Sequence, residues 1–160
     1  MKKTTLAILA LFLAGCVSQS QVYINPDRQT VRCAAVGAGI TGMVASGISM
    51  SNCDTDYRNM GYIPIDESGV TGIWMAKPDG SLEITKVIAG SPAAKADIKA
   101  GDFVVSVNGE KPLNAKEAVK LLFGKSGATV TVVLKGSPAP RTVDLTLVPY
   151  LTLYGPQSAK

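Results

Sequence analysis

The chain has no histidine among its 160 residues. Histidine is the usual general base near neutral pH and the commonest protein metal ligand. Its absence excludes Ser-His-Asp and Cys-His machinery and the H-E-x-x-H zinc site. A G-x-S-x-G nucleophile elbow and an S-x-x-K pair are missing as well. Gly124-Lys125-Ser126 matches the end of a phosphate loop, but Val119 stands where the first glycine of that loop belongs. Charge is also scarce, at 18% of residues with a net of +4, of which Lys2 and Lys3 supply two. So small and scattered an excess argues against nucleic acid as a partner. The strongly apolar run at residues 6–14 is too short to span a bilayer, which takes roughly 20 apolar residues. These absences lead to an expectation of no enzymatic activity and no cofactor. What is present is 46% apolar residues, enough for one buried core plus appendages.

The first residues have the layout of an export signal: a basic start, an apolar run, then small residues. The ending Leu13-Ala14-Gly15-Cys16 resembles the lipobox of bacterial lipoproteins. That resemblance implies removal of residues 1–15 and acylation of Cys16, hence a membrane partner through a lipid anchor. Val17, rather than Asp, follows the cysteine, which by the same resemblance places the protein in the outer membrane, facing the periplasm. Residues 16–30 are mostly polar with one proline and read as a lipidated tether, extending at most about 50 Å.

Residues 31–64 form a third segment. Export leaves Cys33 and Cys53 in an oxidising compartment, where two remaining cysteines usually pair. The uncharged Gly/Ala-rich stretch between them reads as a compact disulfide-clamped loop or short helix packed on the main domain. Two other readings compete. Gly37-x-Gly39-x-x-Gly42 spells a dinucleotide fingerprint, but no doubly wound sheet follows it. Ala34, Ala38, Gly42 and Ser46 recur every fourth residue, as in closely packed membrane helices.

From residue 65 to 149 the pattern becomes regular. Residues 70–76 and 82–89 read as strands, joined by a turn at Lys77-Pro78-Asp79-Gly80. Ser91-Pro92 opens a short helical turn over residues 93–96. Residues 103–107 read as a buried strand ending in the tight turn Asn108-Gly109. Asn114, with Glu117 three residues on, caps a helix whose apolar stripe includes Ala115, Ala118, Val119, Leu121 and Leu122, with Gly124 as its stop. Strands follow at 129–134 and 142–148; in the second, Val143, Leu145 and Leu147 alternate with polar residues. The expected fold class is α+β, a small partly open barrel of about five strands and two helices.

The run Val87-x-x-Gly90-Ser91-Pro92-Ala93-x-x-Ala96-x-Ile98-x-x-Gly101-Asp102 through Val107-Asn108-Gly109 resembles the core of bacterial, protease-associated PDZ domains. The resemblance implies that extended segments or C-termini of other proteins bind by strand addition between a sheet edge and a helix. It puts Gly72, Ile73, Trp74 and Met75 at the carboxylate-binding loop and Ala115, Val119 and Leu122 on the groove wall. Ala118 and Leu121 are read as plain core. Trp74 stands where the family has glycine, which leaves open both carboxylate capture and recognition of internal segments. Two functions are carried forward. One is a membrane-anchored periplasmic adaptor for peptide segments of envelope or secreted proteins. The other is a structural envelope lipoprotein, its groove filled by the tail at 150–160, acting through its disulfide-bounded segment.

Overall fold

The computed structural model describes residues 16–75, 82–135 and 139–155. The export signal, the turn at 77–80 and the last five residues lie outside them.

The anticipated tether is a strand. β1 (Cys16–Ile24) pairs antiparallel along its whole length with β2 (Thr30–Ala38), around a turn at 25–29. The polar residues Ser18, Gln19 and Ser20 lie on the exposed half of the hairpin, while Tyr23 and Ile24 are buried. Those two apolar anchors, with a complete backbone ladder, offset the cost of ordering a polar segment. β3 (Ile63–Pro64) adds to the free edge of β1, giving the order β2-β1-β3.

Between β2 and β3 runs α1 (Gly39–Asn59), longer than the short helix expected and packed on its own hairpin. The Cys33–Cys53 disulfide is present and ties α1 to β2. The glycine fingerprint does local work here. A Cβ on Gly37 would run into the Gly42 carbonyl, so the two backbones touch where strand passes into helix. No parallel strand lies in this three-stranded antiparallel sheet, so the dinucleotide reading fails. The small-residue stripe is split too, because Ala34 and Ala38 belong to β2. Among the described residues, no helix is long and apolar enough to cross a membrane.

The end of α1 is clamped by charge. Arg58 bonds Asp54 one turn back at 2.8 Å and reaches Glu67 at 3.1 Å. The buried Tyr23 hydroxyl donates to Asp54 at 2.7 Å. Burial first, and then this bond to a carboxylate, push the Tyr23 phenol up to about 12 from 10.0. A pKa raised in the folded state means full stabilisation below the unfolded value and loss on the way up through the folded one. The wild type is therefore expected to lose at most about 2–3 kcal/mol more stability than Tyr23→Phe between pH 10 and 12. Urea titrations of both proteins across that range check this; parallel curves would refute it.

The second part of the chain contains three small sheets that do not close into a barrel. β4 (Ser68–Val70) lies between β8 (Phe123–Lys125) and β11 (Val148–Pro149). β5 (Ile73–Trp74) pairs with β6 (Lys86–Val87). β7 (Phe103–Val107), β9 (Thr129–Lys135) and β10 (Arg141–Thr146) form the third, in the order β10-β9-β7. Helices α2 (Pro92–Lys95) and α3 (Ala115–Leu121) pack here, and a third helix follows β11. Ile84, Val107, Val132 and Leu134 are fully enclosed in the core they share.

Several sequence expectations hold in detail. Ser91 caps α2 by accepting from the Ala94 amide, and Asn114 caps α3 through the Glu117 amide. Residues 103–107 form a strand, and Leu145 and Leu147 are buried; the strand expected at 142–148 is split, ending at Thr146, with Val148 passing into β11 of another sheet. Others need correction. The strand expected at 70–76 is broken at Thr71-Gly72, because the Thr71 carbonyl turns aside to accept from the Ala93 amide of α2. Only residues 86–87 of the 82–89 segment are strand. α3 stops before Gly124, which is drawn into β8 opposite Gly69.

Candidate functional site

The loop at Thr71-Gly72 is built by its neighbours. Gly72 has φ +82°, and a Cβ there would collide with the fully buried Ser91 side chain. Ser91 therefore has two tasks: it caps α2 and forms the floor of the loop. The Gly72 carbonyl accepts from the Ile88 amide at 2.9 Å, and the Trp74 carbonyl from the Thr85 amide at 2.8 Å. These bonds lead the chain out of the loop into β5.

Gly72, Ile73, Val119 and Leu122 line one cleft, as the sequence led us to expect. Met75 and Ala115 are in the core instead. Ala118 is fully enclosed in that core and Leu121 packs against it, as anticipated for both. Val70, Thr71 and Phe123 complete the walls.

The cleft is partly covered. Its remaining lining comes from outside the expected set: Pro26 and Arg28 from the β1–β2 turn, and Tyr150 and Tyr154 from α4 (Tyr150–Tyr154). The Arg28 guanidinium lies 3.7 Å from the Trp74 ring centroid and 4.9 Å from that of Tyr154. It also donates to the Tyr154 hydroxyl at 3.2 Å. Tyr154 meets Trp74 edge-on at 6.2 Å and stacks on Tyr150 at 4.6 Å. Burial pushes both tyrosine phenols above their ordinary value, while Arg28 pulls the other way. Across the cleft, Asp27 of the same turn pairs with Lys116 of α3 at 3.4 Å, an exposed contact of little energetic weight. The free space left is a cavity of about 20 Å³, room for a single water.

Sequence reasoning missed Arg28, because its turn was read as part of a tether. The four-residue spacing of Tyr150 and Tyr154 was a usable signal for a one-sided helix in the tail. Nothing local to Arg28 points to Trp74, more than forty residues away.

The chain is similar to known proteins over its second half. Residues 83–136 match the family described as PDZ domain. The carboxy-terminal processing protease CtpA of Bacillus subtilis is 37% identical over 89 residues, 52% of this chain and 19% of that protein. A probable periplasmic serine endoprotease, DegP-like, of Bartonella henselae is 41% identical over 70 residues, 43% of this chain and 14% of that protein. A solved PDZ domain of a carboxy-terminal protease from Vibrio cholerae, in complex with peptide, is 24% identical with a TM-score of 0.41, covering 51% of this chain and 94% of that one. The chain thus spans less than a fifth of the length of the two proteases. Residues 83–136 form a PDZ domain homologous to the PDZ regions of such proteases, and the hairpin and α1 lie outside the match.

Proposed function

We propose that the protein is a membrane-anchored periplasmic adaptor, with no catalysis of its own, that takes C-terminal or extended segments of envelope or secreted proteins. The observation that carries this reading is the one-sided pairing of β5. Among the described strands it pairs only with β6, and Ile73 lines the cleft together with Val119 and Leu122. A peptide strand added there would gain backbone hydrogen bonds and present alternate side chains to an apolar wall. The apolar lining favours small or aliphatic ligand ends. The PDZ match supports this recognition mode, and the missing histidine supports the non-catalytic reading.

Leu13-Ala14-Gly15-Cys16 supports a lipid anchor and Val17 an outer-membrane place for it, and the name of the Bartonella relative supports a periplasmic setting. Cys16 opens β1 opposite Ala38, at the far end of the hairpin from Arg28. The nine-residue strand would hold the cleft roughly 30 Å from an acyl group on Cys16. Val36, Met43 and Val44, exposed where β2 passes into α1, suit contact with a bilayer surface.

The stack of Arg28, Trp74 and Tyr154 favours a second reading, in which the groove is closed by its own chain and the protein is structural. Deleting residues 151–160 separates the two, with Tyr154→Ala as a milder variant that spares Leu151 and Leu153. Peptide binding can be followed by fluorescence of Trp74, the chain's single tryptophan. Opening the cleft is expected to tighten binding about tenfold, because the closed state lowers the competent fraction. Equal affinity with the tail intact would exclude self-occupation. No binding by any of these proteins would sink the adaptor reading.

A further inference from the structure

We infer that Arg28, brought in by the N-terminal hairpin, is the residue that recognises the terminal carboxylate of the bound peptide. The inference rests on the peptide-binding reading above and deepens it. A PDZ groove that takes a chain end must compensate a carboxylate in an apolar cleft, and the loop here is poorly equipped to do so with amides alone. Trp74 places an indole where the family has glycine, and the Ile73 amide already makes a long bond to Thr71 Oγ1 at 3.4 Å. The cleft nevertheless contains one positive charge, that of half-buried Arg28.

Its geometry suits the task. The two aromatic rings hold the guanidinium and shield it from water, which strengthens its interactions. Of five N–H donors, one group is engaged by Tyr154, so a pair of in-plane donors is left for a carboxylate to meet bidentately. No described carboxylate lies within ion-pair distance of Arg28; Asp27, its neighbour, turns to Lys116 instead. The backbone supports the same conclusion. Arg28 has φ 62°, a left-handed conformation unusual for arginine, held by bonds of the Arg28 amide to the Asn25 carbonyl and of the Gln29 amide to Asn25 Oδ1. Strain of this kind persists where the surroundings over-determine it, and here it aims a long cation into the cleft.

The test uses the intact chain and short synthetic peptides ending in Val or Ala, each as free acid and as carboxamide, titrated against Trp74 fluorescence. The wild type should prefer the acid by about 10- to 100-fold, the range for a buried charge-assisted hydrogen bond. Arg28→Gln should bind the acid more weakly by a similar factor, leave the amide unchanged and so erase the preference. Arg28→Lys should recover part of it. Retained helicity of α1 checks that the variants fold. An unchanged acid-to-amide ratio in Arg28→Gln would overturn the inference, as would equal tightening for both ligands, which would make Arg28 a cover only. If neither the wild type nor the tail-deleted chain binds either form, the peptide-binding reading itself falls, and this inference with it.

Discussion

Gly72→Ala is expected to destabilise the protein by about 2–4 kcal/mol and to abolish peptide binding. Two costs add. The backbone at Gly72 has φ +82°, where an L side chain is strained. The new methyl would also point into the Ser91 side chain, which is fully buried and cannot withdraw. Ser91 is held in place because its oxygen accepts the Ala94 amide at 3.2 Å. Relief by moving Ser91 would uncap α2, and relief by moving the loop would break the bond from the Ala93 amide to the Thr71 carbonyl. Either path deforms the start of β5, the edge on which the proposed function depends. Urea unfolding monitored by Trp74, with peptide titration of the folded variant, reads both effects. A variant of wild-type stability that still binds would show that the loop is not seated as described. Ser91→Gly in the same background should recover part of the loss by making room for the methyl.

Reducing the Cys33–Cys53 disulfide, or replacing both cysteines by serine, is expected to cost about 3 kcal/mol, felt mainly in α1. The bridge closes a separation of 20 residues between a strand and a largely exposed helix. α1 has little else to hold it. Ser46 is buried, Tyr57 packs near Tyr23 and Tyr62, and Arg58 clamps the C-terminal end to Glu67. Met43, Val44 and Ile48 contribute little to burial, as all three are exposed. Loss of far-UV helical signal and of amide protection in α1 is therefore expected on reduction, with the PDZ domain retained. Ile24 should still hold the hairpin, since it is buried in a cluster with Val70 and Tyr150. If α1 keeps its protection when reduced, the Arg58 clamp and the Gly37–Gly42 contact suffice, and the disulfide is dispensable for its placement.

The parts of the PDZ domain legible in sequence are those set by local chemistry. Ser91-Pro92 and Asn114 with Glu117 mark helix starts because a side-chain oxygen satisfies a free amide, whatever the rest of the chain does. The strand at 103–107 and the alternation within β10 follow from one face being buried. The motif from Val87 to Gly109 carried the fold class, and the pairing expected of Cys33 with Cys53 is present. Half of the groove was readable too: Gly72, Ile73, Val119 and Leu122 do meet in one cleft.

The errors share one cause: each concerns a segment whose conformation depends on residues distant in sequence. Residues 16–24 are polar enough to suggest solvated chain, and only the ladder with β2 and the burial of Tyr23 and Ile24 make them a strand. Thr71 leaves the strand because α2 offers it a hydrogen bond, and Gly124 joins a strand because Gly69 lies opposite. The sequence by itself therefore determined the PDZ core and its caps, because these depend on nearby residues, and the cysteine pairing, because only two cysteines remain once Cys16 is set aside. Only the tertiary structure decided that the cleft is partly covered, and by which groups. The contact of Arg28 with Trp74 and Tyr154 joins three places far apart in the chain, and no local pattern encodes a meeting that exists only once the hairpin and α4 have packed against the domain.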